Sequence, residues 1–120
     1  MKIRHLFSLC LIAISATLSA NGKTVIPITT DDISLIYKVD DKNGRLYQSY
    51  LGQKLSFDSD IVQLPLGNEA YLTHGMEDYF EPAIRVLHND GNPSLLLKYI
   101  SHENKQLHPG VDETVILLKD

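Results

Sequence analysis

The feature that most constrains this chain is a pair of strand patterns joined by Asp40-Asp-Lys-Asn-Gly44. Ile33, Leu35, Tyr37 and Val39 alternate with Ser34, Lys38 and Asp40. Successive side chains of a strand point to opposite sides, so this alternation predicts a strand with one apolar and one solvated face. Asn43-Gly44 predicts the turn of a hairpin, because both residues tolerate positive φ. Arg45 to Leu51 is then the return strand, with Tyr47 and Tyr50 expected on opposite faces.

The rest of the chain continues in the same style. After residue 22 no three-to-four spacing of apolar residues persists over three turns, so no helix is expected. Leu55 to Phe57 reads as a short extended piece, Asp58-Ser-Asp60 as a turn, and Ile61 to Leu64 as a further short strand before Pro65. Ala83 to His88 and Ser94 to Ser101 read as strands joined by the turn-forming Asn89-Asp-Gly-Asn-Pro93. Leu95, Leu96 and Leu97 are consecutive, which predicts a strand covered on both faces. A polar loop from His102 to Gly110 leads to a last strand, Thr114 to Lys119. Repeated short strands separated by such turns predict an all-β fold, an antiparallel β-sandwich. The strand pattern runs to the last residue, which reads as a chain cut at a strand, a fragment of something longer.

The N-terminus is different in kind. Lys2 and Arg4 precede an apolar stretch from Leu6 to Ala20, and no acid occurs before Asp31. This is the pattern of a secretory signal peptide and not of a membrane span. Ala20 and Gly22 supply the small residues a signal peptidase needs, so residues 1–22 are read as signal peptide and 23–120 as one β domain. Cleavage after Ala20 is the competing choice. Cys10 sits behind Leu9, which is too bulky for the position before a lipidated cysteine. Cys10 is the chain's one cysteine, so the exported domain is expected to hold together without disulfides, by its core alone. Lys2 and Arg4 are the only two of the 11 Lys and Arg to leave with the signal, and the 15 Asp and Glu all remain. The net charge of −4 thus becomes more negative on export, which argues against nucleic acid as a partner.

Individual motifs weigh against several chemistries. His74-Gly-Met-Glu-Asp78 gathers a histidine and two carboxylates, but the second histidine and the helix that a zinc-hydrolase spacing requires are missing. Asp40 to Gly44 fails as a calcium loop, since placing Gly44 at loop position six puts Val39 at position one. Neither a metal nor a cofactor is expected. Pro93 inside Asn92-Pro-Ser94 forbids glycosylation there. No Gly-x-Ser-x-Gly elbow is present. Glu77, Asp78 and Glu81 are paired carboxylates of the kind glycosidases use, yet they stand too close in sequence to flank a sugar without special loop geometry. The polar rim of a loop is the better reading of these residues. Tyr71, Tyr79 and Phe80 are candidates for stacking on sugar rings or for plugging the core.

Taken in order, Glu69-Ala-Tyr-Leu-Thr-His-Gly75, Asp78-Tyr-Phe-Glu-Pro-Ala83 and His88-Asn-Asp-Gly-Asn-Pro-Ser94 resemble the N-terminal domain of family 36 glycoside hydrolases, the bacterial α-galactosidases. Leu46-Tyr-Gln-Ser-Tyr-Leu-Gly52 resembles the strand that precedes them in that domain, and Tyr99-Ile-Ser-His102 its continuation. The resemblance extends over 33–120. It implies that the sandwich is part of a β-supersandwich that leads into a (β/α)8 barrel, which carries the family's two catalytic aspartates. Neither aspartate has a counterpart here, so by resemblance the chain has no catalytic residue. Leu72 stands where the family usually has proline, and Phe80 where many members have a basic residue.

The resemblance places the loop around Asp78 near the mouth of an active site. Its candidate substrate-binding residues are Asp78 as acceptor for sugar hydroxyls, Tyr79 packing beside it and His74 lining the mouth. Ordering of the loop by Asp78 through backbone N–H groups is the alternative role. The implied parent is an exported, periplasmic or extracellular homo-oligomer that hydrolyses terminal α-galactosides. In it this domain would support the barrel and oligomerisation, with α-galactoside bound only alongside the barrel. A free-standing carbohydrate-binding module using Tyr71, Asp78 and Tyr79, or a secreted structural sandwich, are the other expectations.

Overall fold

The structure is a computed structural model and describes residues 19–20, 23–74 and 81–120. Its elements are strands β1 (Ser19–Ala20), β2 (Lys23–Thr29), β3 (Ile33–Val39) and β4 (Leu46–Gln53), helix α1 (Asp58–Gln63), and strands β5 (Asn68–Glu69), β6 (Lys98–His108) and β7 (Val111–Lys119). Strands β1 to β5 form one antiparallel sheet in chain order, and β6 and β7 form a separate two-stranded ribbon. The chain is therefore all-β with a single short helix among the described residues. No described helix is long and apolar enough to cross a membrane.

The β3–β4 hairpin forms where the sequence predicts it. Asp40 and Arg45 close the turn, with the Asp40 N–H donating to the Arg45 carbonyl at 3.0 Å. Gly44 adopts φ 71°, and its N–H reaches back to the Asp40 carbonyl at 2.7 Å. The Asp40 and Asn43 side chains accept the N–H groups of Lys42 and Arg45, local bonds that only short polar side chains can make. The left-handed conformation carries a steric cost for any side chain, which is why glycine stands there. The Gly44 carbonyl also accepts the Tyr99 N–H at 2.8 Å, so one turn ties the sheet to the ribbon.

Strand β3 is covered on both sides. Ile26, Val39 and Leu46 form one cluster, packed by Tyr37, Ala70 and the ribbon residues Tyr99, Ile116 and Leu118. On the other face Val25, Ile36 and Ile61 of α1 cluster with Tyr50, Leu55 and Leu64. Ile26 and Ile36 are fully buried, each worth about 1.5–3 kcal/mol relative to exposure.

That second face corrects the expectation of a solvated side to β3. Ser34 and Lys38 are both buried. The Ser34 hydroxyl accepts the Leu55 N–H at 3.1 Å. The Lys38 ammonium donates to the carbonyls of Val62 and Leu64, at 3.1 and 2.6 Å, where the end of α1 leaves carbonyls without intrahelical partners. Alternation in a sequence separates two faces of a strand. It does not say that the polar one meets water.

Other elements depart from the sequence reading for identifiable reasons. Asp58 to Gln63 is a helical turn and a half, not a turn followed by a strand: Asp58 and Asp60 lie in its first turn, where carboxylates are favoured, and Ile61 is its buried residue. The register pairs Tyr47 with Lys38 and Tyr50 with Ile36, across an irregularity between Ile36 and Tyr37. An extra residue at this β-bulge cancels one alternation, so Tyr47 and Tyr50 share a face instead of opposing one another.

Ala83 to His88 forms no strand beyond an isolated parallel bridge between Thr73 and Ile84. The leucine run belongs to no strand, and β6 begins only at Lys98. Of the three leucines Leu95 is buried, while Leu96 and Leu97 are partly covered. The expected polar loop from His102 is instead the second half of β6, which continues to His108. Its polar side chains are tolerated because its backbone pairs with β7 and both faces near the ribbon tip meet solvent.

Candidate functional site

Two of the stretches that carry the family resemblance meet at residues 72–74 and 83, and the chain just after the third, at Leu95, joins them. The Ala83 N–H donates to the Leu72 carbonyl at 2.8 Å, beside the Thr73–Ile84 bridge. Thr73, itself buried, donates its hydroxyl to the Leu95 carbonyl at 2.6 Å, and the Leu95 N–H donates to the His74 carbonyl at 3.2 Å. Residues 72–74, 83–84 and 95 thus form a pinned neck. The turn at Asn89 to Pro93 is built as the sequence predicts: the Asp90 carboxylate accepts the Asn92 N–H, and the Asn92 side chain accepts the Ser94 N–H, both at 2.9 Å. His88 Nε2 lies 2.9 Å from the Ser94 carbonyl and 3.3 Å from the Asp120 carboxylate. The other Asp120 oxygen accepts the Leu96 N–H at 2.7 Å, which fastens this turn to the end of β7.

His74 is exposed on the neck and lines an open depression of ≈ 450 Å³ with Arg85, Val86, Leu87 and Pro93. Asp78 and Tyr79, the other two candidate site residues, lie outside the described residues. Arg85 was not singled out by the sequence; its one signal is a lone cation in the apolar run from Ala83 to Leu87. An imidazole and a guanidinium around a partly apolar floor can donate hydrogen bonds to hydroxyl or carboxylate oxygens. They supply no nucleophile and base pair. Among the described residues no group of three or more His, Cys, Asp or Glu is placed to hold a metal.

Beside the neck, Arg45 and Glu69 form a partly buried ion pair at 3.0 Å. With Tyr71, Thr73 and Leu96 they line a small half-open cleft of ≈ 10 Å³, about the room one water needs. At the interface between sheet and ribbon, burial pushes the Tyr37 and Tyr99 phenols above their ordinary range, Tyr37 further through the neighbouring Tyr71. The Tyr99 hydroxyl also meets His102 Nδ1 at 2.7 Å.

No family model, no curated protein and no solved structure matches this chain.

Proposed function

We propose that this chain is the non-catalytic N-terminal domain of an exported α-galactosidase-like glycoside hydrolase. Residues 1–22 act as the signal peptide, and 23–120 contribute part of an antiparallel β-sandwich within a β-supersandwich. The observation that carries the reading is the convergence at the neck. Glu69 to Gly75, Asp78 to Ala83 and His88 to Ser94 are separate in sequence and resemble the family separately, yet Leu72 to His74 of the first are bonded to Ala83, the last residue of the second, and to Leu95, the residue that follows the third. The domain would support a (β/α)8 barrel and oligomerisation, in the periplasm or outside the cell. Retaining hydrolysis of terminal α-galactosides would belong to the barrel. His74, with Asp78 and Tyr79, would line the mouth of that barrel's site.

Sequencing the coding DNA past the codon for Asp120 tests this reading. A continuation encoding an aspartate-bearing barrel is the expected result, and unrelated sequence downstream would defeat it. The depression beside His74 and Arg85 favours a second reading, a free-standing secreted carbohydrate-binding β-sandwich. Calorimetric titration of the purified protein with galactose or melibiose separates the two, because the domain reading expects no binding without the barrel.

A further inference from the structure

The sheet edges of this protein are guarded unequally. An open edge strand offers unpaired N–H and C=O groups to other chains, and proteins blunt such edges with proline, charge or a covering strand. Strand β2 carries Pro27, and β4 is covered in part by β5. On the ribbon, β6 presents Lys98, Glu103 and Lys105, the last two bonded to each other at 2.8 Å. Strand β7 carries its charges only toward its ends, Asp112, Glu113 and Lys119, and Thr114 to Leu118 between them contains neither charge nor proline. Its even-numbered side chains Ile116 and Leu118 pack toward the sheet, and its odd-numbered Val111, Val115 and Leu117 are exposed. Among the described residues its outer edge has no strand partner.

We propose that the outer edge of β7 pairs with the same edge of a second copy of this chain, antiparallel about a two-fold axis at Ile116. The inference does not rest on the glycosidase reading. In this register each exposed Val115 stands opposite the partner's Leu117, and each Glu113 opposite the partner's Lys119. Aliphatic pairs and opposite charges facing one another across strands are favourable, and both occur twice by symmetry.

The register is selected by what its alternatives do. A slip of one residue sets the exposed face of one copy beside the covered face of the other. A slip of two puts Glu113 opposite Leu117, or Lys119 opposite Val115. Lys119 makes no ion pair with a described residue, and Glu113 reaches Lys105 only at 4.0 Å, so both charges are available to a partner. The register also sets Asp112 opposite Asp120, a like-charge pair at each end that opposes the pairing and that the contacts of the Asp120 carboxylate with His88 and the Leu96 N–H offset in part.

The test is analytical ultracentrifugation of the protein purified from cells expressing the whole chain, over a range of concentrations. The mass is expected to rise toward twice that of one chain. Glu113→Lys and Lys119→Glu should each weaken the dimer roughly tenfold, by turning two attractive pairs into repulsive ones. Glu113→Lys combined with Lys119→Glu should restore it, and Val115→Lys should abolish it. Circular dichroism identifies any variant that fails to fold, and the two single reversals are independent probes of the same contact. A monomer at every concentration would overturn the proposal. So would a dimer that folded single reversals leave unchanged, or one that the double reversal does not rescue.

Discussion

The sheet containing β3 and the ribbon of β6 and β7 are built from similar residues and held in different ways. Strand β3 has a covered face on each side, one against α1 and one against the ribbon, and even its serine and lysine are buried and bonded. Among the described residues the ribbon is covered on one face only, and Ile100, Val115 and Leu117 stand exposed on it. The difference shows that strand composition does not determine burial. Position in the stack of layers does. A strand in the middle can carry Lys38 inward because a helix end supplies carbonyls for its ammonium. A strand in an outer layer can carry leucine outward where no described segment covers it.

Substitutions that break this contrast should differ in size. Ile36→Ala in the middle layer should cost about 2–5 kcal/mol, read as a fall in the urea midpoint, through lost burial and the cavity left behind. Lys38→Ala should cost about 1–3 kcal/mol by leaving the Val62 and Leu64 carbonyls without their donor, and hydrogen exchange should quicken from 58 to 64 while the ribbon is unaffected. Gly44→Ala should cost about 1 kcal/mol, because a side chain resists φ near 71°. Since the Gly44 carbonyl holds Tyr99, amide protection should fall in both layers. Ile100→Ala on the outer ribbon should stay within about 0.5 kcal/mol of the parent. A loss comparable to that of Ile36→Ala would mean that the ribbon is as fully packed as the sheet.

The interface between the layers also has a pH signature. Tyr37 and Tyr99 have folded-state pKa values above the ordinary 10.0, mainly because burial disfavours the phenolate. A raised pKa means that the stabilising contribution is whole below pH 10.0 and is lost as pH rises through the higher folded value. Alkaline titration followed by tyrosine absorbance should therefore show two late-titrating phenols and a parallel loss of stability. Tyr37→Phe should lessen that alkaline loss.

Much of the strand content was legible because its causes are local. The β3–β4 hairpin and the turn at Asn89 to Pro93 are written in glycine, asparagine and aspartate, whose conformations and side-chain bonds depend on immediate neighbours. The second half of β6 was not legible, since His102 to His108 are strand only through pairing with β7 and carry no apolar alternation of their own. Ala83 to His88 failed in the opposite sense: the residues suit a strand, but only Ile84 finds a bridge. Of the candidate site, His74 could be named from its motif. Its companion Arg85 could not, because their shared depression is made by folding the chain back at the neck. Asp78 and Tyr79 lie outside the described residues.

By itself the sequence determined that this protein is built mostly of antiparallel strands and that two of its turns fall at Asp40 to Gly44 and Asn89 to Pro93. Those properties follow from backbone preference and residue type. Only the tertiary structure decided that Lys38 faces inward, that Asp58 to Gln63 coils over Ile36, that Tyr47 and Tyr50 share a face and that no described strand pairs with the outer edge of β7. Each of these depends on which distant segment arrives to cover a surface or accept a hydrogen bond, and no local pattern encodes the identity of that segment.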